Sequence, residues 1–167
     1  MIKKVLSVIV VLSLVIIITE GFNNQDPSFC IKFTLLNNES SVNSSNQFCA
    51  RVIFTNVNHP TIEIEPKIQY GYDGIDPFTV QAFDLNNNEI DISNTNTDID
   101  WIMTENFVQF KKGNSISDTI CSTEIYHFSV KGTFKLRLLF RPDNLFVKNG
   151  KITGQIIYSN WDTLTIR

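Results

Sequence analysis

Apolar and polar residues alternate along most of the chain. Phe29, Ile31, Phe33 and Leu35 share one face of the run Phe29–Leu36, and a period of two is the signature of a strand. Phe48, Ala50, Val52 and Phe54 repeat the pattern. Thr61 to Glu65 alternates until Pro66, which ends a strand or confines it to a sheet edge. Phe78 to Asp84 predicts another strand, with Asn86, Asn87 and Asn88 as its turn and Glu89 to Ile92 as a short return. Phe107 to Lys111 predicts a strand closed by Gly113 and Asn114. Glu124–Val130 and Thr133–Arg141 read as a hairpin across Lys131 and Gly132. In its second arm Phe134, Leu136, Leu138 and Phe140 face one way, while Lys135 and Arg137 are expected to face solvent. Ile152–Tyr158 and Thr163–Ile166 predict a last pair turning at Ser159–Asp162. Gly71–Pro77, Ser93–Asp100 and the polar Asn37–Gln47 read as loops. No segment sustains a 3.6-residue period. About eight to ten strands without a βαβ alternation predict two antiparallel sheets packed face to face.

The N-terminus breaks this pattern. Lys3 and Lys4 precede an apolar run, Val5 to Thr19, interrupted only by Ser7 and Ser13. A short basic segment followed by ~7–15 apolar residues is a secretory signal, and a membrane span asks for ~20. Cleavage after Gly21 would leave Thr19 and Gly21 as the small residues before the cut. Neither is the favoured Ala, so an uncleaved signal-anchor is the alternative. The predicted layout is a signal helix over 1–21 and one domain over 22–167. The protein is then secreted, periplasmic or at the cell surface, and touches a membrane only through residues 5–19 if uncleaved.

Composition sharpens the fold class. Two alanines stand against 22 isoleucines, 18 asparagines and 13 phenylalanines, which disfavours a helical bundle. A net charge of −3 gives no footprint for nucleic acid. Export places Cys30, Cys49 and Cys121 in an oxidising compartment, where one disulfide and one free thiol is the default. All three pairings stay open. In a simple hairpin Cys30 and Cys49 would sit at opposite ends, so Cys49 with Cys121 is favoured. Asn38-Glu-Ser40 and Asn43-Ser-Ser45 match the glycosylation pattern.

From Ser117 onward the order of features becomes recognisable. It runs Asp118-Thr119, Ile125-Tyr126-His127-Phe128-Ser129, Lys131-Gly132-Thr133-Phe134, Tyr158-Ser159-Asn160 and Thr163-Leu164-Thr165-Ile166. This resembles the C-terminal half of immunoglobulin-like β-sandwich domains of exported bacterial proteins, Bacteroidetes above all. Phe134 stands where those domains carry tyrosine. The resemblance implies architecture and export; such domains usually have no activity of their own.

Candidate chemistry is sparse. Asp84, Asn86, Asn87 and Asn88 with Asp91, Asp98 and Asp100 concentrate oxygen ligands, as Ca²⁺ would need, but Glu89 and Thr95 break the EF-hand pattern. The plainer reading is a solvated acidic loop, and no cofactor or metal is implied. Tyr70, Tyr72, Trp101 and Trp161 could form an aromatic platform for a protein or glycan partner; otherwise they close loops and cap the core. Tyr126 reads as a tyrosine tying a loop to a sheet. His127 lies opposite it without a neighbouring carboxylate and serine, and Gly-x-Ser-x-Gly and His-Glu-x-x-His are absent. The expectation is an exported, non-catalytic binding or structural protein of the envelope or exterior. The alternatives are an inhibitor or accessory domain for an exported protease, or a carbohydrate-binding module.

Overall fold

The period-two runs become strands. A computed structural model describes residues 28–44, 47–68, 70, 76–92, 106–122 and 126–167. Within them the chain is all-β, with β1 (Phe29–Leu35), β2 (Glu39–Ser40), β3 (Cys49–Asn56), β4 (Ile62–Ile64), β5 (Phe78–Phe83), β6 (Glu89–Ile90), β7 (Val108–Phe110), β8 (Ser115–Cys121), β9 (Gly132–Phe140), β10 (Ile157–Tyr158) and β11 (Asp162–Ile166). The signal segment 1–21 lies outside the described residues.

Among the described residues these strands form three sheets. One is three-stranded, in the order β1-β3-β8. The second runs β2-β11-β9-β5-β6, with β10 also paired to β9. The third is the small pair β4-β7. The two larger sheets share one core. Phe54 of β3 lies 4.8 Å from Phe140 of β9 and meets Phe78 of β5 edge-on at 5.3 Å. Phe29 of β1 also meets Phe140 edge-on, at 5.8 Å. Each such ring contributes ~1.5–3 kcal/mol by leaving water, and the aromatic contacts add to that. β1 alternates buried and exposed along its whole length, and Leu136 and Leu138 at the centre of β9 are fully buried.

Four elements differ from the sequence reading. β8 was not foreseen: Ser115, Ser117 and Thr119 face solvent, and Asp118 interrupts the apolar face between Ile116 and Ile120. Its strand character comes from pairing with β3 along seven residues, Cys49↔Cys121 to Thr55↔Ser115. Residues 126–130 are not the first arm of a hairpin with β9, which pairs instead with β5, β10 and β11. At Phe128 the Gln47 side chain supplies hydrogen bonds of the kind a partner strand would make. Its amide accepts from the Phe128 N–H and donates to the Phe128 carbonyl at 2.9 Å and to Val42 O at 3.1 Å. β10 and β11 do not pair with each other; both lie along the same edge of β9. Lastly, the polar run 37–47 contains β2, which pairs in parallel with β11.

Candidate functional site

The most distinctive local geometry lies where β10 gives way to β11. Tyr158 opposes Leu139, yet Asp162 opposes Leu136. Three residues, Ser159 to Trp161, therefore face two, Arg137 and Leu138: one extra residue, a β-bulge. Ser159 fills the interruption. Its N–H donates to Leu138 O at 2.9 Å, and its hydroxyl accepts from the Leu138 N–H at 2.8 Å and donates to Asn160 O at 2.7 Å. Asn160 turns toward the other sheet, accepting from the Phe33 N–H at 3.0 Å and donating to Phe33 O at 2.8 Å. Asp162 accepts from the Leu35 N–H at 2.8 Å.

The bulge sends Trp161 outward, where it is 45% exposed. There it receives Arg137. The guanidinium carbon lies 3.9 Å from the Tyr158 ring centre, 4.5 Å from that of Trp161 and 5.5 Å from that of Phe83. Phe83 meets Trp161 edge-on at 5.3 Å. Arg137 thus faces outward, as its position in the alternation requires, but it is half-buried among rings rather than solvated. The reason is the bulge, which moves an aromatic side chain over its neighbour on β9. Burial lowers the Arg137 pKa, with Tyr158 and Glu89 acting in the opposite sense. Arginine rarely loses its proton in proteins, so the group stays cationic.

A polar chain continues from it. Arg137 Nε donates to Gln81 Oε1 at 2.9 Å, and Gln81 Nε2 donates to Glu89 Oε1 at 3.0 Å. Lys135, two residues before Arg137 on the same face, donates to Asn87 Oδ1 at 3.0 Å. Beyond Ala82↔Ile90, β6 leaves β5, and the Val80 N–H donates to the Tyr126 hydroxyl at 3.1 Å. Tyr126, itself fully buried, ties its segment to the sheet. The gap is a cavity of about 410 Å³ with Gln81 and Glu89 in its wall.

Of the aromatic residues singled out in the sequence, the two that are described, Tyr70 and Trp161, do not come together. Tyr70 is half-buried, bridges to Phe78, stacks 6.5 Å from Tyr126 and donates to Cys121 O at 3.3 Å. Burial raises its pKa. Trp161 stands by Phe83, at the opposite end of β5, ~17 Å along a strand rising ~3.4 Å per residue. Tyr72 and Trp101 lie outside the described residues.

Cys49 and Cys121 form a disulfide between paired positions of β3 and β8. Cys30 is free and exposed; it opposes Thr55, at the far end of β3 from Cys49. The Asp84 carboxylate serves its own turn, accepting from the Asn86 and Asn88 N–H groups and from Asn88 Nδ2, each at 2.8 Å. Those bonds hold its pKa below the ordinary carboxylate value. Asp98 and Asp100 lie outside the described residues, and no cluster of three metal-ligating side chains occurs among the described ones. The His127 side chain is exposed, and the His127 backbone N–H donates to Ile92 O at 2.8 Å.

Arg137, Tyr158, Phe83 and Gln81 escaped the sequence reading. Their assembly depends on one inserted residue and on a cross-strand register, and neither leaves a local pattern. No protein-family model and no curated protein matches the chain.

Proposed function

We propose that the chain is an exported, non-catalytic binding protein built on an immunoglobulin-like sandwich, which engages its partner through the outer face of the β2-β11-β9-β5-β6 sheet around Trp161. The basic and apolar N-terminal run supports export, and the Cys49–Cys121 disulfide fits an oxidising compartment. A core shared by two sheets supports the sandwich. The observation that carries the reading is Trp161 itself. A bulge projects it, 45% exposed, from the outer face of the sheet, and it is stacked with a cation. Bulges recur where a strand re-aims a side chain for function, and exposed Trp and Arg are the residues most enriched at binding hot spots.

Two experiments test this. Purified protein is added back to envelope fractions from its native host, and retention of wild type and Trp161→Ala is compared at equal folded content. The reading expects loss of retention in the variant; equal retention refutes this surface. For export, Val11 and Val15 are both replaced by Asp, since charge in the apolar run blocks insertion. Normal export of that variant overturns the signal reading.

A further inference from the structure

The guanidinium of Arg137 is held in an arrangement that leaves only part of it free. Tyr158, Trp161 and Phe83 lie 3.9, 4.5 and 5.5 Å from its central carbon, so the guanidinium is packed against rings. Nε is bonded to Gln81. Among the described residues no hydrogen bond or ion pair engages the two terminal nitrogens, and neither is a buried atom without a partner. The nearest carboxylate in the network, Glu89, is bonded to the Gln81 amide instead of to Arg137. A cation packed against aromatic rings and bonded at Nε, with its terminal nitrogens unengaged, is preorganised for bidentate contact with a planar anion.

The surroundings restrict that anion. Trp161 offers an exposed apolar ring beside the fork, which suits a ring with an apolar face. Around it stand the Gln81 amide, the Glu89 carboxylate and Lys135, whose ammonium is bonded to the Asn87 amide, on the same outer face. Glu89 accepts hydroxyl hydrogens and repels a second anion. One carboxylate accompanied by several hydroxyls suits these groups: Lys135 is already bonded to Asn87, and a run of acidic peptide side chains would bring further negative charge against Glu89 and a chain of net charge −3.

We propose that this surface binds a uronic-acid residue of a saccharide, its carboxylate on the Arg137 fork and its pyranose ring against Trp161. The proposal rests on the binding-protein reading above and adds the ligand class. Methyl β-glucuronide, methyl β-glucoside and N-acetyl-glutamate amide are titrated to about 50 mM into ¹⁵N-labelled protein recovered from an exporting host. The Arg137 Nε–H and Trp161 indole signals are followed. Saturable shifts at both with the glucuronide, at least about tenfold weaker with the glucoside, support it. Arg137→Lys keeps the charge and removes the fork, and should weaken glucuronide binding about tenfold at an unchanged fold. No saturable shift with the glucuronide overturns the proposal. Equal affinity for the glucoside overturns the carboxylate's role, and equal or tighter binding of the glutamate derivative overturns the saccharide. In each of these cases loss of envelope retention in Trp161→Ala still upholds the binding surface. Retention unchanged in that variant, together with no shift, removes both.

Discussion

Gln47 offers a direct test of how this chain holds the segment around Phe128. Its side chain is fully buried and closes two hydrogen bonds with the backbone of Phe128, 81 residues away. Gln47→Leu keeps the volume and removes both. Phe128 is buried, so water does not replace the lost partners, and each orphaned backbone group costs ~1–3 kcal/mol. The third bond, to half-buried Val42, is replaceable by water and adds little. The sum is ~2–6 kcal/mol from the ~5–15 kcal/mol available to a domain. At a urea slope of ~2 kcal/mol/M, the midpoint should fall by roughly 1–3 M. Gln47→Glu adds a sign. Its carboxylate still accepts from the Phe128 N–H but lies against two carbonyl oxygens, so its folded pKa is raised above the ~4.3 of an unfolded chain. Relative to wild type the Glu variant should be least impaired near pH 4 and lose stability as pH rises from there. Hydrogen exchange supplies the local readout: the Phe128 amide should be protected in wild type and exposed in Gln47→Leu. A midpoint shift equivalent to less than about 1 kcal/mol, or an unprotected Phe128 amide in wild type, would refute the reasoning.

Three further expectations follow from the same structure. Leu136→Ala should cost ~2–5 kcal/mol in denaturant unfolding, Arg137→Ala ~1–2 through its lost ring contacts and Gln81 bond, and Lys135→Ala within ~0.5. If Leu136→Ala is as mild as Lys135→Ala, the inward face of β9 is misassigned. Replacing Cys49 and Cys121 together by Ser, which opens a loop of 72 residues, should lower stability by ~2–4 kcal/mol; no change in midpoint would deny the cross-link any role. Asp84, whose folded pKa is depressed, should titrate below an ordinary Asp in a carboxyl NMR titration, with the Asn86 and Asn88 amides following the same curve. Its contribution to the turn is present above the ordinary carboxylate pKa and lost as pH falls through the folded value, so a normal midpoint would contradict the bonding shown.

What was legible in the sequence was the alternation. β1, β3, β5 and β9 bury the residues their period assigns, because one face of each meets the core and a one-residue slip would invert it. The favoured Cys49–Cys121 pairing was legible too, since β1 and β3 form the hairpin that sets Cys30 and Cys49 apart. Partnership was not. β8 carries serine, threonine and aspartate, and its strand state is imposed by β3. Residues 126–130 alternate like a strand, yet Phe128 there bonds to the Gln47 side chain. The Trp161–Arg137–Tyr158 contact depends on a bulge whose extra residue shows only when β10 and β11 are both registered against β9.

The asparagines illustrate the deeper difficulty. In sequence they signal turns, and Asn87, with φ of 65°, and its neighbours do form one. Elsewhere an amide side chain acts as a short piece of partner strand, since it carries the same donor and acceptor as a peptide group. Asn37 accepts from the Cys49 N–H at 2.9 Å and donates to Gln47 O at 3.2 Å. Asn56, fully buried, donates to Phe110 O at 2.9 Å, linking β3 to β7 of the small sheet. Asn160 pairs with both backbone groups of Phe33 across 127 residues of sequence. That last pair matters beyond its own energy. β1 is the edge of its sheet on the side away from β3, and an unpaired edge invites pairing with another chain. Asn160 and Asp162 occupy that edge at Phe33 and Leu35. The bulge that projects Trp161 outward is thus also the device that closes β1 inward. A change at residues 159–161 that straightens the strand should therefore affect the binding face and the exposed edge together, and self-association should accompany any loss of the Trp161–Arg137 contact caused in that way.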